Sequence, residues 1–236
     1  MTISALLFDK DGTLFDFSAT WSNWAETVLD DLAGGDPALA ARLAKRLGFD
    51  RDARRYDWRS PVIAGTTREV AEAIAPELAT RDIDALAARL DAQSARTPQV
   101  PAVALRPCLG ALRGRGLKLG LVTNDSEASA RVHLQGADVL DLFDYVAGYD
   151  SGYGAKPGPG QLREFLAREG LDPAQAAMVG DSPHDMAAAR AAGTGAVAVL
   201  TGPNPRAVLE PVADAVLGSI GELGGWLDRQ DATGGR

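Results

Sequence analysis

The strongest constraint on this chain is a set of five short apolar runs, none alternating, each ending in polar or glycine-rich residues. They are Ile3 to Phe8, Leu117 to Val122, Tyr145 to Ala147, Ala176 to Val179 and Ala196 to Leu200. A strand with one wet face alternates in polarity, whereas continuous runs of this length read as strands covered on both faces. Helical patterns fall between the later runs, at Glu127 to Gln135, Gly160 to Arg168 and Asp185 to Ala192. Strand, helix and strand repeated in this way predict a doubly wound α/β domain with a parallel sheet. Asp214 to Leu217 is expected as a short edge strand. Ligands of such sheets bind beyond the carboxyl ends of the strands, and the polar residues of this chain collect there.

Residues 17–98 are different. They read as consecutive amphipathic helices with no convincing strand: Trp21 to Leu32, Pro37 to Leu47, Thr67 to Leu78 and Asp82 to Arg96. Asp36 before Pro37 matches an N-cap followed by proline at the first helical position. Such a stretch is too long for a loop. The expected organisation is therefore an α/β core built from residues 1–16 and 99–236, carrying an inserted all-helical cap, residues 17–98. The polar, glycine-rich tail from Asp228 to Arg236 is expected to fray.

A formal charge of -8 argues against a general nucleic-acid binder, which would carry a basic footprint. Cys108 is the single cysteine, so no intramolecular disulfide can form. The opening MTISALLFDKDG breaks from a brief apolar run into charge, unlike a signal peptide or membrane span. A cytoplasmic enzyme is the simplest expectation, with no nucleic-acid or membrane partner. Oligomeric state is not readable.

Directly after the first run stands Phe8-Asp9-Lys10-Asp11-Gly12-Thr13-Leu14. Alternate positions of an extended segment point the same way, so Asp9 and Asp11 can approach one site. Two carboxylates that close are costly to ionise without a cation between them. Asp-Gly is also a hairpin signal, but here only the helical insert follows. This segment resembles the first motif of the haloacid dehalogenase superfamily, and three further segments resemble that family's later motifs in order. They are Leu119 to Asn124 with Thr123, Lys156 in Gly154-Ala155-Lys156-Pro157, and Gly180-Asp181-Ser182-Pro183-His184-Asp185.

The resemblance implies a Rossmann-like core and a Mg²⁺-dependent phosphatase. Asp9 would be the nucleophile and a metal ligand. Asp11 would ligate through its backbone carbonyl, while its side chain protonates the leaving group and later activates water. Thr123, Asn124 and Lys156 would hold phosphate oxygens, Asp181 would bind the metal, and Asp185 would orient ligands from behind. The cap's position resembles the phosphoglycolate phosphatase-like branch, implying a small phosphorylated metabolite such as phosphoglycolate, a sugar phosphate or a nucleotide. Dehalogenases of this fold lack the second aspartate of the first motif, so Asp11 argues against dehalogenation. Cation pumps of the family need membrane spans. A phosphomutase with the same nucleophile is the main alternative, and a non-catalytic binding protein is disfavoured because every expected catalytic position is filled.

Plainer readings stand beside these. Thr123 can be an N-cap for the following helix, Lys156 a solvated loop lysine, and Asp185 a helix cap. Asp9 and Asp181 end apolar runs, where an unpaired carboxylate is costly. His184 reads as a bystander, His133 as a structural or exposed helix residue, and Cys108 as a structural thiol. Trp21, Trp24 and Trp58 read as packing residues of the cap. Seven basic residues lie between Arg42 and Arg59 (Arg42, Lys45, Arg46, Arg51, Arg54, Arg55, Arg59). Such runs are usually a solvated face, and the functional expectation is that Arg54 or Arg55 grips an anionic part of the substrate.

Overall fold

The computed structural model describes residues 2–57 and 59–234, so Trp58 and the last two tail residues lie outside the described region. The chain opens with strand β1 (Ala5–Phe8) and enters the insert through α1 (Phe17–Ala33). This helix begins a turn earlier than expected because the Asp16 carboxylate caps it, accepting from Ala19 N at 2.8 Å. Next come α2 (Pro37–Leu47), capped by Asp36, the two-residue strands β2 (Phe49–Asp50) and β3 (Arg55–Tyr56), and the short α3 (Pro61–Ala64). Helix α4 (Thr67–Leu78) starts on a Thr66–Glu69 capping box, and α5 (Ile83–Ser94) closes the insert.

The insert is therefore not purely helical. Strands β2 and β3 pair antiparallel, Phe49 opposite Tyr56, with those rings 4.8 Å apart and Arg54 at φ 49° in the turn. Two residues per strand are too few to show a period in sequence. Trp21, Trp24, Leu29, Leu43, Ile74 and Leu90 share one hydrophobic cluster confined to the insert. The two connecting segments run side by side: Phe15 bridges Pro101, and Asp16 N donates to Val100 O at 2.8 Å.

The rest alternates helix and strand: α6 (Leu105–Gly114), β4 (Lys118–Val122), α7 (Glu127–Gly136), β5 (Tyr145–Ala147), α8 (Gly160–Glu169), β6 (Ala176–Gly180), α9 (Pro183–Ala192), β7 (Gly195–Val199), α10 (Arg206–Leu209), β8 (Ala215–Leu217) and α11 (Leu223–Gly234). Six strands form a parallel sheet in the order β5-β4-β1-β6-β7-β8. Side chains alternate between two apolar layers. Leu6 and Phe8 pack with Leu109, Leu134 and Trp226 on one face, while Ala5 and Leu7 pack with Phe165 and Met186 on the other. Burial on both faces is why the strands read as unbroken apolar runs.

The expected tail begins inside a helix. Trp226 and Leu227 are buried, Arg115 pairs with Asp228 at 2.8 Å, and α11 runs to Gly234. Among the described residues, no helix is long and apolar enough to cross a membrane.

Candidate active site

The chain works outward from β1 to β4 and β5, then returns to lay β6 on the opposite side of β1. That reversal leaves a crevice at the carboxyl ends of β1 and its two neighbours. Asp9 follows β1, Thr123 follows β4 and Asp181 follows β6, so topology alone brings three distant segments to one place. Asp9 N donates to Val179 O at 2.9 Å, continuing the ladder and holding the loop at the sheet.

Asp9, Asp181 and Asp185 are buried, and each offers an oxygen such that all three lie within 4.8 Å of one another. Lys156 Nζ donates to Asp9 Oδ1 at 2.6 Å and to Asp185 Oδ1 at 2.7 Å. Burial pushes Asp9 up to about 7; Lys156 opposes this, while Asp185 and Asp11 add to it. Asp181 is also raised well above the usual carboxylate range, by burial and then by Asp9 and Asp185. Burial acts against the Lys156 charge, yet Asp185 and Asp9 outweigh it and hold the ammonium above its ordinary value. Three carboxylates around one ammonium leave the cluster short of positive charge.

A hard divalent cation fits this donor set, which is all oxygen. Asp181 Oδ2 is buried with no hydrogen-bond partner, the atom such an ion would take. Two glycines let the backbone approach that carboxylate: a Cβ on Gly202 would stand 1.7 Å from Oδ2, and one on Gly12, whose φ is +80°, 2.4 Å from it.

The remaining expected residues take varied positions. Asp185 occupies the third position of α9 in a capping box: Ser182 N and Oγ donate to its Oδ2 at 3.0 and 2.6 Å, while Oδ1 faces Lys156. It serves helix and cluster together. Thr123 is not the cap of α7, because Ser126 is; Thr123 Oγ1 accepts from Asp125 N at 3.1 Å. Lys156 is buried, not a solvated loop lysine. The Asn124 side chain is committed elsewhere, with Nδ2 donating to Lys156 O at 2.9 Å and to Ala64 O of the insert at 2.8 Å. Both amide hydrogens are thus occupied in tying Lys156 and the insert together. The Asp11 carboxylate lies outside the acidic cluster, paired with Lys10 at 2.7 Å.

A cleft of about 410 Å³ opens over Lys156 between core and insert. Arg59, Glu69, Lys156, His184 and Asn204 line it, so His184 belongs to its rim, exposed. Arg54 and Arg55 do not line it. Arg54 donates to Asn23 Oδ1 of α1 at 2.7 Å, and Arg55 is exposed on β3. Of this basic run it is Arg59, and not the expected Arg54 or Arg55, that lines the cleft. Arg42 and Arg46 pair with Glu77, and Arg51 with Glu26 and Asp30, which makes this part of the run a solvated, paired face.

Two neighbours of the site lie outside the four motifs. Thr201 Oγ1 donates to Gly12 O at 2.6 Å, so the segment after β7 buttresses the first motif. Buried Gln161 spreads its amide across the carbonyls of Thr123, Gly148 and Gly154, each at 3.1 Å. A threonine-glycine pair directly after an apolar run was the available clue for the former; nothing marked the latter. Cys108 sits inside α6, its thiol pushed up by burial, and is not activated.

A doubly wound sheet with an acidic cluster at its reversal point and a helical insert over it defines a recognisable class of hydrolase. A model of the haloacid dehalogenase-like hydrolase family matches residues 3–193, and the chain belongs to that family. Among curated relatives, a phosphoglycolate phosphatase of Rhodospirillum rubrum is 42% identical over 119 residues, 50% of this chain and 49% of that protein. One of Escherichia coli K12 is 37% identical over 116 residues, 49% and 46% of the two chains. The chain spans about half the length of the curated relatives it matches. Among solved structures, a haloacid dehalogenase-like hydrolase from Bacteroides fragilis superposes with TM-score 0.73 at 21% identity, covering 94% of this chain and 100% of that one. A structure described as a beta-phosphoglucomutase from Thermotoga maritima gives 0.65 at 22%, covering 96% and 99%. These likenesses show the fold.

Proposed function

We propose that this chain is a Mg²⁺-dependent phosphatase that hydrolyses a small phosphomonoester through an aspartyl-phosphate on Asp9. The observation that carries the reading is the buried Asp9–Asp181–Asp185 cluster with Lys156 bridging Asp9 and Asp185. Mg²⁺ held by Asp9 and Asp181, with the Asp11 carbonyl, would supply the positive charge that lets a dianionic phosphate approach a carboxylate.

Every other part of the reaction belongs to side chains of the chain. An Asp9 oxygen attacks phosphorus as the phosphorus–oxygen bond to the leaving group breaks, and the leaving-group oxygen takes a proton from Asp11. Water then attacks the phosphorus, gives its proton to Asp11, and the bond to Asp9 breaks to release phosphate. Lys156 neutralises charge beside Asp9, and Thr123 at the end of β4 faces the transferred group's oxygens. The insert acts as a cap that excludes water and limits substrate size. A cleft bearing Arg59, Lys156 and His184 suits a leaving group with an anion of its own. The relatives' name makes 2-phosphoglycolate, which has such a carboxylate, the first substrate to try.

The test is phosphate release from a panel of small phosphomonoesters, with Mg²⁺ or with EDTA, by wild type and Asp9→Asn. Turnover that needs Mg²⁺ and vanishes in Asp9→Asn is expected. A folded wild type that releases no phosphate from any of them, yet interconverts sugar-phosphate isomers, would replace this reading with a phosphomutase.

A further inference from the structure

Lys10 lies between the two aspartates of the first motif, is fully buried, and has no part in the reaction described above. Its ammonium sits among three acceptors. It donates to Asp11 Oδ1 at 2.8 Å and lies 2.7 Å from Asp11 Oδ2. It lies 3.2 Å from Asp125 Oδ2 and 3.1 Å from His133 Nδ1, over the Trp21 ring at 5.4 Å from its centroid. An ammonium has three hydrogens and accepts nothing, so these three groups satisfy it. The same rule sets the tautomer of His133: Nδ1 must accept from Lys10, which leaves its proton on Nε2, donated to Ser94 O at 3.0 Å. Burial, then Lys10, lowers the His133 pKa, consistent with a neutral ring.

The three acceptors are not equivalent. The side chains of Asp125 and His133 are 5% and 2% exposed, whereas that of Asp11 is 15% exposed. Asp125 is also held by Ser126 N at 2.8 Å and Ser129 Oγ at 2.9 Å. Asp125 and His133 therefore anchor the ammonium, and the ammonium in turn restrains Asp11. A protonated carboxyl keeps lone pairs on its oxygens for Lys10 while its O–H donates to the leaving-group oxygen. Once ionised it has about four lone-pair sites, which leaves some to accept from a water.

We propose that Lys10 is a positioning residue: anchored by Asp125 and His133, it fixes the Asp11 carboxylate for proton transfer at the scissile oxygen. This rests on the phosphatase reading and on the role of Asp11 within it. A positioned acid is worth roughly 10²–10⁴-fold for a leaving group that must be protonated, and little for one that departs as a stable anion. Lys10 therefore acts on alkyl phosphates and much less on acyl phosphates, whereas a purely structural lysine would affect both alike.

The experiment compares kcat/KM on 2-phosphoglycolate, or the best alkyl phosphomonoester of the panel, with that on acetyl phosphate, whose acetate leaves unprotonated. The proteins are wild type, Asp11→Asn, Lys10→Met and Lys10→Met/Asp125→Asn. The double variant removes opposite charges together and stays available if Lys10→Met, which strands two carboxylates, fails to fold. The expected result is an alkyl-to-acyl ratio that falls about 30-fold or more in Asp11→Asn and in whichever Lys10 variant folds. A ratio that falls in Asp11→Asn but stays at the wild-type value in a folded Lys10 variant overturns the role of Lys10 and leaves the phosphatase standing. A wild type that hydrolyses neither substrate class overturns both.

Discussion

Asn124 and Lys156 hold each other in both directions: Lys156 N donates to Asn124 Oδ1 at 2.9 Å, and Asn124 Nδ2 donates to Lys156 O at 2.9 Å. The clamp fixes the backbone from which the Lys156 ammonium reaches Asp9, and its second amide hydrogen holds Ala64 O of the insert. Asn124→Ala should leave the lysine charge in place but let it drift. A misplacement near 1 Å costs about 100-fold, so kcat/KM for phosphate release is expected to fall by about that factor. Loss of buried hydrogen bonds should also lower stability by about 1–3 kcal/mol. Steady-state kinetics with a urea titration checks both, and unchanged kinetics would show that the lysine needs no clamp.

Arg59 lines the cleft and Arg54 and Arg55 do not, so their variants should behave differently. Arg59→Ala is expected to raise KM for an anion-bearing substrate about 10-fold, the scale of one charge-assisted hydrogen bond. Arg54→Ala and Arg55→Ala should leave KM within about 2-fold of wild type, because neither lines the cleft. The comparison is a set of KM values on 2-phosphoglycolate; a rise in either of the latter two would place the specificity elsewhere.

The acidic cluster makes the metal-free protein sensitive to pH. Asp9 moves from 3.8 to about 7, and Asp181 shifts in the same sense. Between those values the folded protein keeps a proton that the unfolded chain has released. The stability from this proton is thus full below the unfolded value and is lost as pH rises through about 7. Mg²⁺ needs the ionised carboxylates, so it should raise Tm more at about pH 8 than at about pH 5.5. Thermal unfolding with Mg²⁺ or EDTA at both pH values checks this, and equal increments would remove the cluster as the metal's site.

Gly202 stands where any side chain would strike Asp181. Gly202→Ala should displace that carboxylate and weaken Mg²⁺ binding about 10- to 100-fold, as read by calorimetric titration. Gly110 in α6 has open space where a methyl group would stand, with nothing within 4 Å, so Gly110→Ala should bind Mg²⁺ normally and gain about 0.5–1 kcal/mol of stability.

Much of this arrangement is legible in the sequence. Unalternating runs such as Ala176–Val179 mark strands buried on both faces, and Asp36-Pro37 marks a helix start, because both are local consequences of chain geometry. Asp9 and Asp181 stand out since a carboxylate closing an apolar run needs a partner. The β2–β3 pair is too short to leave a period, and α11 is held by Trp226 packing against distant segments and by Arg115 reaching Asp228, neither of which a local pattern shows.

What the sequence by itself determined is the set of elements and the identity of the acidic and basic groups at strand ends. What only the tertiary structure decided is which of them meet. Arg54, Arg55 and Arg59 are chemically alike and close in sequence, yet only Arg59 lines the cleft. Lys10 acquires partners only when Asp125 and His133, more than a hundred residues away, surround it. Local pattern records which way the backbone runs. The partner of a buried charge is chosen by packing between segments far apart in the chain, and no local pattern carries that.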